Sequence, residues 1–141
     1  MNTYALTVVS CGRRAIFVRT ANAELLLHTL FKYRDAGRFA MHGFVIMPEH
    51  IHILLTPLGE NTIERCVQLI KGGFSFAFRT QFPGEVWQSG YHDHRVRNRE
   101  DFANQLQYIA ENPIRRGLSE HLFVHTRFAD RMDPMPKTLI G

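Results

Sequence analysis

In the segment MPEHIHILLT, His50 and His52 stand two apart within a run of apolar residues. On a β-strand both imidazoles would project from one face, while Ile51, Ile53 and Leu55 point to the other. Two convergent imidazoles can hold a metal ion if a third ligand comes from another element. A second pair of the same spacing is His92-Asp93-His94. With 8 His in 141 residues, composition alone supplies roughly 0.4 such pairs, so spacing does not by itself separate a ligand pair from an ordinary sheet feature.

The helix that must follow Asn98 adds a different kind of signal. Asn98-Arg99-Glu100-Asp101 reads as a helix start, with a capping Asn and acids in the first turn. Beyond it, Phe102, Leu106 and Ile109 fall within about 60° of one another on a helix and predict the core face. Tyr108 and Asn112, four apart, share another face with Asn104 and Glu111. Tyr108 therefore points away from the apolar stripe. Asn112 precedes Pro113, which disfavours α geometry, so Asn112 is expected at the helix end with its amide free to turn towards a ligand.

The remaining elements follow from local patterns. Tyr4 to Ser10 reads as a strand leaving into the basic turn Cys11-Gly12-Arg13-Arg14. Asn22 is expected to cap a helix through about Ala36, with Leu26, Leu30 and Tyr33 on one face and Gly37 as its stop. Phe39 to Met47 and His50 to Thr56 read as a hairpin joined through Pro48-Glu49. Asn61 or Thr62 opens a second helix carrying Ile63, Val67 and Ile70, in which Gly72-Gly73 implies either a kink or a close approach. Trp87 to Val96 contains a strand. The order β-α-β-β-α-β plus a helix is that of an α+β fold, a ferredoxin-like split βαβ sandwich with helices packed on one antiparallel sheet. A single domain is expected over residues 1–129, followed by an extended or mobile tail over 130–141.

Charge favours a polyanionic partner. The chain carries 17 Lys+Arg against 13 Asp+Glu, a net charge of +4, and fourteen of the seventeen cations are Arg, whose planar fork binds phosphate bidentately. The two cysteines, Cys11 and Cys66, have neither disulfide-framework nor CxxC spacing, so a reducing, cytoplasmic setting is the default. No window approaches a membrane span, and no leader pattern opens the sequence.

Taken in order, MPEHIHILLT, WQSGYHDHRVRN and YIAENPIRRGL resemble the single-tyrosine HUH transposases, and more closely their REP-associated tyrosine transposase branch. The resemblance spans roughly residues 4 to 120 in three ordered motifs, which makes it far more specific than either histidine pair. It implies the HUH endonuclease fold, with His50 and His52 as metal ligands and Tyr108 as the nucleophile. Asn112, one helical turn beyond the tyrosine, stands at the third ligand position. Glu49 occupies a position where many relatives have Asn, and it is not a ligand position. The implied activity is DNA nicking and strand transfer through a 5′-phosphotyrosine, on single-stranded or hairpin DNA, with Mg²⁺ or Mn²⁺, by a homodimer.

Such chemistry retains the bond energy, and no GxxxxGK[ST] motif for a nucleoside triphosphate occurs. Candidate phosphate contacts are Arg13, Arg14, Lys71, Arg95, Arg97, Arg115 and Arg116, which the sequence places in turns, at helix ends or beside the Tyr108 helix. Trp87 and Tyr91 are candidate stacking surfaces, Trp87 being equally suited to the core. Two other readings fit part of the pattern. One is a nucleic-acid-binding protein without catalysis; the other is a small-molecule metalloenzyme using His50, His52, His92 and His94 together.

Overall fold

A computed structural model describes residues 1–118 and 120–139. The order of elements is the expected one: β1 (Thr3–Val9), α1 (Thr20–Asp35), β2 (Phe39–Met47), β3 (His50–Pro57), α2 (Ile63–Phe78), β4 (His92–Val96) and α3 (Arg99–Arg115). The four strands form one sheet in the order β2-β3-β1-β4, and every neighbouring pair is antiparallel. β3 thus inserts between β1 and β2, as in a ferredoxin-like split βαβ sandwich. The α+β expectation holds.

Strand alternation divides the core between the two faces of the sheet. Leu6, Val8, Phe44, Ile46, Ile51, Ile53 and Leu55 pack under α1 and α2, against Leu26, Leu30, Ile70 and Phe74. Val45, Met47 and Leu54 face the other way and pack under α3, against Phe102 and Ile109. At the Gly72-Gly73 step, a Cβ on Gly73 would lie 2.8 Å from Cε2 of Tyr33, so of the two readings of that step, close approach is the one observed. Gly43 plays the same part under α3, where a Cβ would lie 2.5 Å from Cδ1 of Leu106. It follows a register irregularity between Met41 and Gly43 and lets α3 settle close to the sheet.

Several local expectations give way to tertiary contacts. α1 begins at Thr20, and Asn22 does not cap it; instead its Nδ2 donates to the Ile16 carbonyl 2.8 Å away, tying the preceding turn to the helix. The helix carrying Tyr108 does not end at Asn112: it runs through Pro113 to Arg115. Pro113 lacks an N–H and crowds the carbonyl four residues back, and so near the helix end this costs one helical bond, that of the Ile109 carbonyl. The actual stop is Gly117, at φ 75°, with Leu118 N donating to Pro113 O at 2.7 Å. The strand expected within Trp87 to Val96 is present, at His92–Val96. Lys71 lies inside α2, not at a turn or helix end.

After α3 the chain crosses back over β2 in a 3-10 segment, His125–Arg131. Asp133 is then held by Arg34 Nε and Nη2 at 3.1 and 2.8 Å and by the Met41 N–H at 2.8 Å. Burial works against its charge, but these donors outweigh it and keep the carboxyl below the ordinary range. Residues 140–141 of the expected tail lie outside the described residues.

Candidate active site

β3 pairs with strands on both sides, and this sets the chemistry of its two histidines. His52 lies opposite Thr7 on β1 and Val45 on β2, while His50 lies opposite Val9 and Met47. Residues opposite one another share a face, so both imidazoles sit on the α3 side of the sheet. Their ring centroids are 4.6 Å apart at 81°. Ile51, Ile53 and Leu55 face the other side and are fully buried, as the alternation requires.

The Nδ1 nitrogens of the two rings are held from behind. His50 Nδ1 lies 2.8 Å from Glu49 Oε1, and His52 Nδ1 lies 2.8 Å from Thr7 Oγ1. An ionised carboxylate can only accept, so the Glu49 contact puts the proton of His50 on Nδ1 and leaves Nε2 with a bare lone pair. That Nε2 is the buried side-chain polar atom without a hydrogen-bond partner among the described residues. Such an orphan costs about 1–3 kcal/mol unless something fills it, and a divalent cation is what a neutral imidazole nitrogen suits.

Electrostatics keep both rings neutral. Burial pushes the His50 imidazole below its ordinary value despite the attraction of Glu49. Burial, the neighbouring His50 and Arg115 push His52 down to about 4. Ligation requires the unprotonated ring, so neither histidine would have to release a proton at neutral pH before binding a metal.

α3 brings the tyrosine over this pair. Its first turn is fixed by Asn98 Oδ1, which accepts from Asp101 N at 2.8 Å. The Asp101 carboxylate in turn lies 2.8 Å from His94 Nε2 on β4. Tyr108, ten residues after Asn98, stacks edge-on to His52 with ring centroids 5.8 Å apart. It is 50% exposed, and Arg115 Cζ sits 4.2 Å from its ring centroid. Asn112 is buried on the same helix, one turn beyond Tyr108. An open cleft of about 250 Å³ lies between α3 and the sheet, lined by Thr7, His52, His92, His94, Gln105 and Tyr108.

The second histidine pair enters the cleft without joining the first. His92 lies opposite Thr7 on its other side, so it stands two strand spacings, about 10 Å, from His52. His92 and His94 are exposed, and His94 is engaged with Asp101. Among the described residues no cluster of three His, Cys, Asp or Glu is arranged to hold a metal. The four-histidine alternative has no geometric support.

The cationic candidates separate into groups. Arg13, Arg115 and Arg116 gather at the His50–Tyr108 end: Arg116 Nη1 and Arg13 Nη2 lie 2.5 and 3.8 Å from Glu49 Oε1, and Arg115 covers Tyr108. Arg13 also adopts a left-handed φ of 54°, a strained conformation for a residue with a Cβ. Arg14 is turned inward, donating to Cys11 O at 3.0 Å and Glu85 O at 2.5 Å. Lys71 Nζ donates to Gln88 O at 2.9 Å and Gly90 O at 2.7 Å. Arg95 alternates with His94 and Val96 and therefore lies on the α1/α2 face, away from Tyr108. Arg97 stands between β4 and α3, its N–H bonded to Asp101. Trp87 packs, partly buried, against Phe17 and Phe74 of the core and donates to Lys71 O at 3.1 Å. Sequence reasoning missed the part played by Glu49; its position beside a histidine in a tight turn was the available signal.

Residues 2–112 match the family model described as Transposase IS200 like, a span that includes His50, His52, Tyr108 and Asn112. The chain belongs to this transposase family. Within it the similarity runs to the REP-associated tyrosine transposases. The protein of that name from Escherichia coli (strain K12) is 28% identical over 116 residues, 82% of this chain and 68% of the relative. A putative REP-associated tyrosine transposase from Haemophilus influenzae is 30% identical over 97 residues, 58% of this chain and 53% of the relative. This chain thus spans about two thirds of one relative and about half of the other. A solved REP-associated tyrosine transposase bound to a REP hairpin superposes with a TM-score of 0.76 at 27% identity, over 94% of this chain and 82% of that one. A putative transposase from Deinococcus radiodurans, at 22% identity and a TM-score of 0.60 over 79% of this chain and 91% of its own, shares the fold. Among the described residues no helix is long and apolar enough to cross a membrane.

Proposed function

We propose that this chain nicks and rejoins single-stranded, hairpin-forming DNA through a covalent tyrosine intermediate, in the manner of an HUH transposase. One observation carries the reading: Tyr108 of α3 stands over His52 with ring centroids 5.8 Å apart, while the neighbouring His50 keeps a buried Nε2 without a partner among the described residues. The solved relative bound to a REP hairpin supports DNA as the partner. Arg13, Arg115 and Arg116 supply positive charge beside the tyrosine for the phosphate backbone.

In the proposed step, the Tyr108 oxygen attacks the phosphorus and the P–O3′ bond breaks. Tyrosine loses its proton, the departing 3′-oxygen gains one, and the DNA is left on Tyr108 as a 5′-phosphotyrosine. Rejoining runs the same exchange in reverse with another 3′-hydroxyl, so no external energy source is required. His50, His52 and the side-chain carbonyl of Asn112 would hold a divalent ion, Mg²⁺ or Mn²⁺, which when bound polarises the phosphate oxygens. The donor set fits: two neutral nitrogens and a neutral oxygen, with no thiolate nearby. Thr7 and Glu49 orient the rings, and the exposed position of Tyr108 admits a polymer. The proposal extends to a homodimer in the cytoplasm, as the resemblance of the sequence motifs implies.

The test uses end-labelled hairpin DNA and Mn²⁺. The parent should yield a protein–DNA adduct that survives denaturation, abolished by EDTA and by Tyr108→Phe. An adduct of equal yield from Tyr108→Phe, or none from the parent across a set of hairpins that it binds, would overturn the assignment in favour of a binding protein without catalysis.

A further inference from the structure

Glu49 sits in the two-residue turn between β2 and β3, and nearly all of it is buried. Its main chain is fixed: Ser10 N and Ser10 Oγ donate to its carbonyl at 2.9 and 3.0 Å. Its carboxylate is crowded with donors. His50 Nδ1 lies 2.8 Å from Oε1, Arg116 Nη1 lies 2.5 Å from the same atom, and Arg13 Nη2 approaches to 3.8 Å. These contacts come from three places: β3, the residue that caps the end of α3, and the turn after β1.

We infer that Glu49 is a positioning residue of the metal site. It orients His50 so that Nε2 faces the ion, and through Arg116 it fixes the end of the helix that carries Tyr108 and Asn112. This rests on the metal-dependent reading given above and deepens it. The reasoning is geometric. An imidazole can be rotated about its ring axis or protonated on either nitrogen, and with Nδ1 against Glu49 only the Nδ1-protonated form leaves Nε2 with a free lone pair. A buried carboxylate immediately behind Nδ1 selects that arrangement before any ion arrives.

His52 has no equivalent restraint. Its partner, Thr7 Oγ1, can donate or accept, so it sets the orientation of the ring but not the place of its proton. The tautomer of the pair is thus specified at His50 alone. Arg116 extends the effect. It lies four residues beyond Asn112 and eight beyond Tyr108 on the same helical run, so a single carboxylate is shared by the strand with the histidines and the helix with the tyrosine. A carboxylate that served only to neutralise Arg116 would have no reason to meet His50 Nδ1 at hydrogen-bond distance.

The experiment compares the parent with Glu49→Gln, Glu49→Ala and, as a control, His50→Ala, each first checked for an unchanged fold by amide spectra and thermal melting. Long-range ¹H–¹⁵N imidazole spectra of the metal-free proteins report the His50 tautomer. Mn²⁺ titration followed by electron paramagnetic resonance reports affinity without DNA. The parent should show His50 protonated on Nδ1, and Glu49→Ala a mixture of tautomers. Mn²⁺ affinity should fall about tenfold in Glu49→Gln, which keeps an acceptor but can flip its amide, and up to about 100-fold in Glu49→Ala. Parental tautomer or parental Mn²⁺ affinity in both variants overturns the inference. A parent that binds no Mn²⁺ sinks the metal-dependent reading instead, and the tautomer spectra then still decide whether Glu49 orients His50.

Discussion

The molecule contains two histidine pairs of identical spacing in strands of one sheet, and they have different surroundings. His50 and His52 lie on β3, which has partners on both sides, beneath α3, with a carboxylate and a hydroxyl behind their rings. His92 and His94 lie on the edge strand β4, exposed, with His94 turned to Asp101. A central strand offers side chains a covered face with neighbours in fixed register, and that face can hold a ring in one orientation. An edge strand leaves the same residue types in water. What separates the proposed ligand pair from the second pair is therefore the strand's place in the sheet, which the spacing does not encode.

Acid should expose this difference most strongly, because burial costs stability when a ring must be kept neutral. His42, His50, His52, His121 and His125 are all held below the ordinary histidine value, in each case with burial as the main cause. Below about pH 6.5 the unfolded chain binds protons that the folded chain refuses, so stability is complete above that pH and falls as pH drops towards 4. His52 alone, pushed down to about 4, accounts for on the order of 3 kcal/mol by the lower limit. The Glu49 and Asp133 carboxyls, held below their ordinary range, add to the loss only under about pH 4.5. Urea midpoints of the metal-free protein at pH 7.5, 6 and 5 measure the slope. A flat profile across that range would show that the central pair is solvated like the edge pair.

Metal affinity is the next way to break the comparison. His50→Ala should weaken Mn²⁺ binding by more than the ~100-fold that loss of an orienting partner reaches, whereas His92→Ala should change it by less than about threefold. Calorimetric titration without DNA measures both. Equal losses at the two positions would restore a site shared between the pairs and contradict the separation of His52 from His92 across Thr7.

Much of this arrangement is readable in the sequence wherever the cause is local. The alternation of His50-Ile51-His52-Ile53 fixes two faces, and Thr62 and Asn98 cap α2 and α3 as their types require. Arg95 could have been assigned to the far face from its alternation with Val96. Other features depend on partners far along the chain. Glu49 meets Arg116 across 67 residues, so its neighbours can point to His50 but not to the end of α3. Asn22 looks like a cap until Ile16 presents its carbonyl, and Pro113 reads as a stop because sequence rules do not show that the final turn can tolerate the loss of one helical bond. The insertion of β3 between β1 and β2, which places Thr7 beside His52, is likewise a property of the sheet order and of no single segment.

The smallest expected effect concerns what the edge pair does contribute. Asn98 and His94 both act on the first turn of α3, one by accepting from Asp101 N at 2.8 Å and the other by meeting the Asp101 carboxylate at 2.8 Å. The cap satisfies a backbone donor that has no partner within the helix, so Asn98→Ala should cost about 1 kcal/mol. The His94 side chain is half exposed, so solvent and salt screen the contact, and His94→Ala should cost less than about 0.5 kcal/mol. Denaturant melts of the two variants at low and high salt compare them directly. A larger loss from His94→Ala than from Asn98→Ala would mean that β4 holds the tyrosine helix through its histidine, and the edge pair would then matter to the site by anchoring α3, with no part in ligation.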